Sequence, residues 1–121
     1  MTRQKKKILI IEDEPDIGEI ITFTFRSAGY RSNVVRSGKN IESVVKKFAP
    51  DLILLDLWVP GLDGAAFTKK IKSNKNTSHI PVVLVSAHNG LSRTAKACGA
   101  DGFLSKPFDI GNLLALAHRF L

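Results

Sequence analysis

Hydrophobic and polar residues in this chain follow two alternating patterns: short apolar runs, and longer stretches with the spacing of an amphipathic helix. The runs lie at residues 7–11, 31–35, 52–55, 80–85 and 102–104. Apolar runs of this length, bounded by turn residues, are typical of buried strands. The mixed composition of the run at 31–35 favours an edge strand instead.

The stretches between the runs predict one helix after each strand. Pro15 suits the first turn of the first helix, and Gly29 suits the position just past its end. Asp63 and Asp109 are predicted to cap the third and fifth helices. Five successive strand–helix units predict an α/β fold, with a parallel sheet covered by helices on both faces.

Two helices carry more specific expectations. The fourth is predicted to be short, about two turns long, with Cys98 as a small core residue. In the last helix, the residues predicted to face inward are Ile110, Leu113, Leu114, Ala117 and Leu121. Leu116 and Phe120 lie off that stripe, where they are either partly buried or form an exposed patch for a partner or a homodimer.

Composition limits the classes of protein to consider. At 121 residues the chain is expected to form one domain, 1–121. The net charge is +7, but the basic residues are scattered, which favours solvated helix faces over direct binding of nucleic acid. No apolar run is long enough to span a membrane, and a single cysteine excludes an internal disulfide. A cytoplasmic location is the simplest expectation.

Polar residues follow four of the predicted strands at their carboxyl ends. Glu12 and Asp13 follow the first strand, Asp56 the third, Ser86 the fourth and Lys106 the fifth. Because these ends share one edge of a parallel sheet, the side chains should converge on one crevice. Three close carboxylates repel one another unless a hard divalent cation, Mg²⁺ or Mn²⁺, joins them. Acids, metal, hydroxyl and lysine together favour phosphoryl transfer.

Four segments carry a resemblance to a known family. They are Ile10–Glu14, Leu54–Asp56 with Pro60–Gly64, Pro81–Ala87, and Gly99–Phe108. Together they resemble the receiver domain of two-component response regulators, over essentially the whole chain. The resemblance implies a doubly wound, flavodoxin-like fold of three layers, with five parallel strands in the order 2-1-3-4-5.

The resemblance also implies a role for each acid. Asp56 would be the phosphoacceptor, attacking a phosphohistidine on a histidine kinase or a histidine phosphotransfer protein. Asp13, Asp56 and the backbone carbonyl of Trp58 would bind the metal directly, and Glu12 would bind it through a water molecule. The phosphorylated domain would then change its binding to a downstream protein that the sequence does not name.

The remaining roles implied by the resemblance concern the phosphoryl group and the switch. Ser86 and Lys106 would contact the phosphoryl oxygens, and the peptide bond between Lys106 and Pro107 would be cis. Phe103 occupies the position of the switch aromatic, which rotates inward when Ser86 moves.

The sequence departs from the family pattern at three places. Phe103 stands where the family often has tyrosine, and the separation of Ser86 from Lys106 is a couple of residues shorter than usual. Trp58 is bulky at the mouth of the site, with His88 near it. These two side chains are expected to restrict the attacking water and to lengthen the lifetime of the phosphoryl group, although partial burial of Trp58 against loop residues is an equal alternative.

Other proteins with similar folds are disfavoured. The acids at 12–14 would repel the phosphate of a flavodoxin cofactor, and Trp58 stands where a dehalogenase-type phosphatase needs a second acid. We therefore expect self-catalysed phosphorylation and dephosphorylation of Asp56, without turnover of an external substrate. A stand-alone receiver is the preferred interpretation. The alternative is an N-terminal receiver fragment of a longer regulator, such as a DNA-binding transcription factor.

Overall fold

The computed structural model describes residues 4–121, in which five strands alternate with five helices. The elements, in chain order, are β1 (Lys7–Ile11), α1 (Pro15–Ser27), β2 (Arg31–Val35), α2 (Ile41–Phe48), β3 (Leu52–Asp56), α3 (Gly64–Ser73), β4 (Val82–Ser86), α4 (Leu91–Cys98), β5 (Gly102–Ser105) and α5 (Ile110–Phe120). The predicted alternation of strands and helices is confirmed.

The five strands form one parallel sheet in the order β2-β1-β3-β4-β5. β2 lies at an edge, as its mixed sequence predicts. The register places Ile11 of β1 beside Leu55 of β3, and Ser86 of β4 beside Ser105 of β5. The chain reverses direction across the sheet between β1 and β3, which is where ligands of such sheets bind.

Each face of the sheet is buried by its own set of helices. Alternate strand residues, such as Leu9 and Leu55, pack in one cluster with buried side chains of α2, α3 and α4. The intervening residues, such as Ile10 and Leu54, pack on the other face with α1 and α5. This arrangement gives the predicted three layers, and it explains why β1, β3 and β4 are apolar on both faces.

The helix boundaries agree with their sequence signals. Asp63 accepts a hydrogen bond from the Ala66 amide at 3.1 Å, and Asp109 accepts one from the Asn112 amide at 2.7 Å. Both are therefore caps. Gly29, just beyond α1, has a φ of 94°, a conformation that other residues adopt at a cost. Helix α4 spans only eight residues, and Cys98 at its end is buried, both as predicted.

In α5, one expectation is wrong and one pair of alternatives is decided. Ile110 was predicted to face inward, but 54% of it is exposed, because it is the first residue of the helix and precedes the turn that contacts the sheet. Leu116 and Phe120 form no exposed patch, since both are partly buried against the core beneath α1 and α5. Partial burial, one of the two alternatives for these residues, is therefore observed, and the two residues offer no exposed patch for a homodimer through the last helix.

The fourth strand begins two residues later than the apolar run. The run starts at Ile80, whereas β4 starts at Val82 and pairs with Ile53. Pro81 has no amide hydrogen to donate to a neighbouring strand, although its carbonyl accepts from the Ile53 amide at 2.9 Å.

Among residues 4–121, we find no helix with the length and apolar character needed to cross a membrane.

Candidate functional site

The carboxyl edge of the sheet brings together the side chains that the sequence places at strand ends. The Lys106 ammonium lies 2.7 Å from Oε1 of Glu12 and 3.0 Å from Oδ2 of Asp56. Glu12 comes directly after β1, Asp56 ends β3, and Lys106 comes directly after β5. Residues from three separate segments thus form one ion-paired group, as the parallel topology requires.

Glu12, Asp13 and Asp56 form an acidic cluster. One carboxylate oxygen from each of them lies within 4.8 Å of the others. Glu12 is only 2% exposed and Asp56 only 5%, so water screens their repulsion poorly. The structure therefore confirms that the acids at the ends of β1 and β3 meet, which the sequence could only infer from topology.

The electrostatics of Glu12 reflect this crowding. Burial and the hydrogen bond that Glu12 shares with Asp56 raise the pKa of Glu12 from its ordinary value of 4.5 to about 7. The nearby Lys106 ammonium opposes that rise but does not cancel it. Without a cation, Glu12 therefore holds a proton under conditions in which an exposed glutamate would be ionised.

Asp56 shifts in the opposite direction. Burial alone would raise its pKa, but hydrogen bonds from Glu12, from the Trp58 amide and from Lys106 outweigh burial and lower it. The Trp58 amide donates to Oδ1 of Asp56 at 3.0 Å. For Lys106, burial would lower the pKa, but its contacts with Glu12 and Asp56 raise it overall. Asp56 is therefore held as a carboxylate beside a charged lysine.

The donor set fits a hard divalent cation. It consists of carboxylate oxygens, which Mg²⁺ and Mn²⁺ prefer, and three acids face the single positive charge of Lys106. A cation bound among Glu12, Asp13 and Asp56 would remove the repulsion that keeps a proton on Glu12. The part of the Trp58 carbonyl in binding the cation stays a prediction.

Ser86 and Phe103 occupy neighbouring strands next to this cluster. The Ser86 hydroxyl is buried and accepts a hydrogen bond from the His88 amide at 3.1 Å. The Lys106 amide donates to the Ser86 carbonyl at 2.9 Å, which fixes the two residues side by side. Phe103 is 44% exposed. The peptide bond from Lys106 to Pro107 is cis.

Comparison with known proteins decides the family. The model of the response regulator receiver domain matches residues 8–118. The chain belongs to this family. The carboxyl edge of the sheet holds the acids, the hydroxyl and the lysine to which the resemblance gives roles, namely Glu12, Asp13, Asp56, Ser86 and Lys106, and those roles stay predictions.

Among curated proteins, the receiver domain is similar to Protein Rrf1 of Nitratidesulfovibrio vulgaris, at 34% identity over 95% of this chain and 82% of that protein. It is also 35% identical to the transcriptional regulatory protein BaeR of Escherichia coli and 32% identical to the DNA-binding regulator RpaA of Synechocystis. Each of these two matches covers 95% of this chain and 48% of the relative. The chain thus spans about half the length of the first curated relatives it matches.

Solved structures show the same fold. The chemotaxis response regulator CheY4 of Vibrio cholerae superposes with a TM-score of 0.88 at 26% identity, over 98% of this chain and 100% of that one. A response regulator from Chloroflexus aurantiacus gives a TM-score of 0.89 at 25% identity, over 97% of this chain and 98% of that one. Both support the doubly wound topology of the receiver domain.

Two aromatic side chains meet beside the loop that follows Asp56. Trp58 is 67% exposed, and its ring meets the His88 ring edge to face, with the ring centroids 5.9 Å apart. Both residues line a cleft of about 520 Å³ beside the loop after β3. This exposure argues against simple burial of Trp58 among loop residues, which was the alternative to a role in shielding.

Two features of the receiver site were not predicted. The sequence predicted a role for Lys106 toward a phosphoryl group, but not its direct ion pairs with Glu12 and Asp56. It also gave no sign of a backbone contact between Gly38 and the loop after Asp56. The only local signal for the second feature was the Ser37–Gly38 turn, which does not indicate what the turn touches.

Proposed function

We propose that this receiver domain accepts a phosphoryl group on Asp56 from a phosphohistidine of a histidine kinase or a histidine phosphotransfer protein. The observation that carries the proposal is the pairing of the Lys106 ammonium with Asp56, inside a cluster of three acids. Such a group of charges favours phosphoryl transfer, in which a protein mainly positions reactants and neutralises charge.

The proposed reaction uses the carboxylate of Asp56 as nucleophile. An oxygen of Asp56 bonds to phosphorus, the bond from phosphorus to the histidine nitrogen breaks, and the imidazole leaves with the bonding electron pair. Lys106 then contacts a phosphoryl oxygen of the aspartyl phosphate. Mg²⁺ or Mn²⁺, held by Asp13, Asp56 and the Trp58 carbonyl, with Glu12 acting through water, would neutralise charge on the transferring group.

The proposed switch begins at Ser86. Its hydroxyl now accepts from the His88 amide, and on phosphorylation it would turn to donate to a phosphoryl oxygen. Phe103, which is exposed in this structure, would move into the space that Ser86 vacates. A local change in charge would thus alter the surface around β5 that a downstream protein meets.

The comparisons support two forms of the whole protein. The match to most of Protein Rrf1 and to the full length of CheY4 favours a stand-alone receiver, which we prefer. The half-length matches to BaeR and RpaA favour a receiver within a longer regulator. The mass of the protein isolated from its natural source separates these forms. In either form, we propose a cytoplasmic domain without turnover of an external substrate.

Intact mass after incubation with acetyl phosphate tests the proposal. We expect one added phosphoryl group that requires Mg²⁺ and is lost in Asp56→Asn. Asp16→Asn, which removes an exposed acid in the first turn of α1, is the matched control and should be modified like the parent. If neither acetyl phosphate nor a phosphorylated histidine kinase modified the folded parent, the proposal would be wrong.

A further inference from the structure

Two loops at the carboxyl edge of the sheet touch backbone to backbone. The Gly38 amide, between β2 and α2, donates to the Pro60 carbonyl at 2.9 Å. Pro60 lies in the loop after Asp56. The Gly38 carbonyl in turn accepts from the amide of Ile41, the first residue of α2, at 3.3 Å. The beginning of α2 is therefore connected to the loop that follows the phosphoacceptor.

Only glycine fits at position 38 without moving that loop. A β-carbon added there would lie 2.3 Å from the carbonyl oxygen of Gly61, 2.7 Å from its carbonyl carbon and 2.8 Å from Cβ of Leu62. These atoms belong to the backbone or are fixed to it, so no side-chain rotation relieves the clash. Gly38 does not have a positive φ, so the requirement for glycine is one of space.

The loop after β3 is held at three successive residues. The Trp58 amide donates to Asp56, the Val59 side chain is buried in the core beneath α2, α3 and α4, and the Pro60 carbonyl accepts from Gly38. Trp58 thus lies between the phosphoacceptor and the contact with Gly38. A displacement of residues 60–61 is transmitted over only two residues to the backbone of Trp58.

We propose that Gly38 is a positioning residue for the cation site. Its missing side chain lets the loop after β3 approach closely enough to present the Trp58 backbone beside Asp56. This inference rests on the proposed function, because the position of the Trp58 backbone carbonyl matters only if that carbonyl binds a cation. Gly38 itself touches neither the cation nor the phosphoryl group.

Mg²⁺ titration of Gly38→Ala, followed by fluorescence, tests the inference. Trp58 is the sole tryptophan of the chain, so its emission reports on this loop directly. We expect Mg²⁺ to bind about tenfold or more weakly, as found when residues that support metal ligands are altered. The emission spectrum of the metal-free variant should also differ from that of the parent, since the loop is displaced before any cation binds.

Gly29→Ala is the matched control. It makes the same chemical change at a position whose positive φ disfavours alanine, but where an added β-carbon meets no atom within 4 Å. It should therefore lower stability while leaving Mg²⁺ affinity and Trp58 emission unchanged. All titrations are made at a temperature where circular dichroism shows each variant to be folded.

The outcomes separate the inference from the proposed function. A parent that binds no Mg²⁺ would overturn the cation-dependent function, and the inference with it. A parent that binds Mg²⁺, together with Gly38→Ala binding it equally well, would overturn the inference alone.

If Gly38→Ala does not fold, amide hydrogen exchange in the parent protein tests the inference instead. Mg²⁺ should slow exchange of the Gly38 amide about tenfold or more, because the cation would bind only when the loops are in contact. Exchange of the Gly29 amide, which donates to the backbone carbonyl of Arg26 at the far end of α1, should be unaffected. Equal rates at Gly38 with and without Mg²⁺ would overturn the inference.

Discussion

At the scale of single residues, Lys106 balances the charge of the site. Its ammonium pairs with Glu12 and Asp56 at once, and both carboxylates are nearly inaccessible to water. One positive charge is not enough for three acids, so Glu12 is held partly protonated and Asp56 is held ionised. Asp56, the proposed nucleophile, is therefore held as a carboxylate, while Glu12 beside it takes the proton.

The first prediction concerns Glu12 in protein freed of divalent cations. Because the folded-state pKa of about 7 exceeds the ordinary value of 4.5, the folded state holds a proton that the unfolded chain has lost. Stability should therefore fall as pH rises between these two values, by on the order of 2–3 kcal/mol. The lowered pKa of Asp56 acts below this window and does not offset the fall.

Urea unfolding at pH 5 and pH 8 in the presence of a chelator measures this dependence. Glu12→Gln should flatten it, because the titrating group is gone. Glu14→Gln, which removes an exposed acid two residues away, should keep the slope of the parent. A Glu12→Gln variant with an unchanged slope would contradict the prediction.

The second prediction concerns Trp58 and His88. Their rings meet beside the loop that follows Asp56, and we expect them to exclude the water that hydrolyses an aspartyl phosphate. Trp58→Ala and His88→Ala should each release phosphate roughly several-fold faster than the parent, as followed by loss of the phosphorylated mass. Asn89→Ala, which truncates an exposed neighbour of His88, should not. Variants no faster than the parent would refute a shielding role.

At the scale of elements, α5 shows how a helix end and a helix face differ. Ile110 has the right type and spacing for the core but lies on the first, exposed turn of the helix. Phe120 lies off the main stripe, yet its ring contacts the sheet, with Cζ 3.4 Å from the place of a β-carbon at Gly102. A β-carbon at Gly102 would be in ordinary van der Waals contact with that ring, so the ring packs directly against β5.

The third prediction follows from this packing. Phe120→Ala should destabilise the domain by about 2 kcal/mol, because it leaves a void beside β5. The oligomeric state should not change, since the ring is partly buried against the core beneath α1 and α5. Ile110→Ala is the control and should alter stability by less than about 0.5 kcal/mol. Thermal unfolding and analytical ultracentrifugation give both readouts, and weakened self-association in a fully stable Phe120→Ala variant would favour the alternative of a docking patch.

At the scale of the whole molecule, the parallel sheet concentrates negative charge at one edge of a chain whose net charge is +7. Folding brings Glu12, Asp13 and Asp56 together against their mutual repulsion. A cation that binds only the folded state would offset this repulsion and stabilise the fold. Cation binding and the stability of the domain should therefore be linked.

The fourth prediction measures that linkage. At a Mg²⁺ concentration about 100 times its dissociation constant, the free energy of unfolding should rise by about 2.7 kcal/mol, seen as a higher melting temperature. Asp13→Asn should lose most of this gain, because one carboxylate ligand is missing. Asp16→Asn, which alters an exposed acid three residues away, should keep it. An equal gain in Asp13→Asn would show that the cation binds elsewhere.

The sequence by itself determined the elements, the layers and the chemical character of the site. Side chains repeat every two residues in a strand and every 3.6 residues in a helix, and both periods can be seen within a short segment. The strands, the helices and caps such as Asp63 are therefore predicted from neighbouring residues alone. That the polar residues after the strands share an edge follows from parallel pairing alone. The resemblance to receiver domains added their roles, which residue types alone do not assign.

The tertiary structure decided every relation that depends on distance between remote segments. Lys106 is 94 residues from Glu12 and 50 from Asp56, and no local pattern states that it bridges them. The burial of Phe120, the exposure of Ile110 and the contact of Gly38 with Pro60 are likewise set by what each segment meets after folding. Periodicity specifies which face of a helix is apolar, but the packed neighbours determine how far along the helix that face is covered.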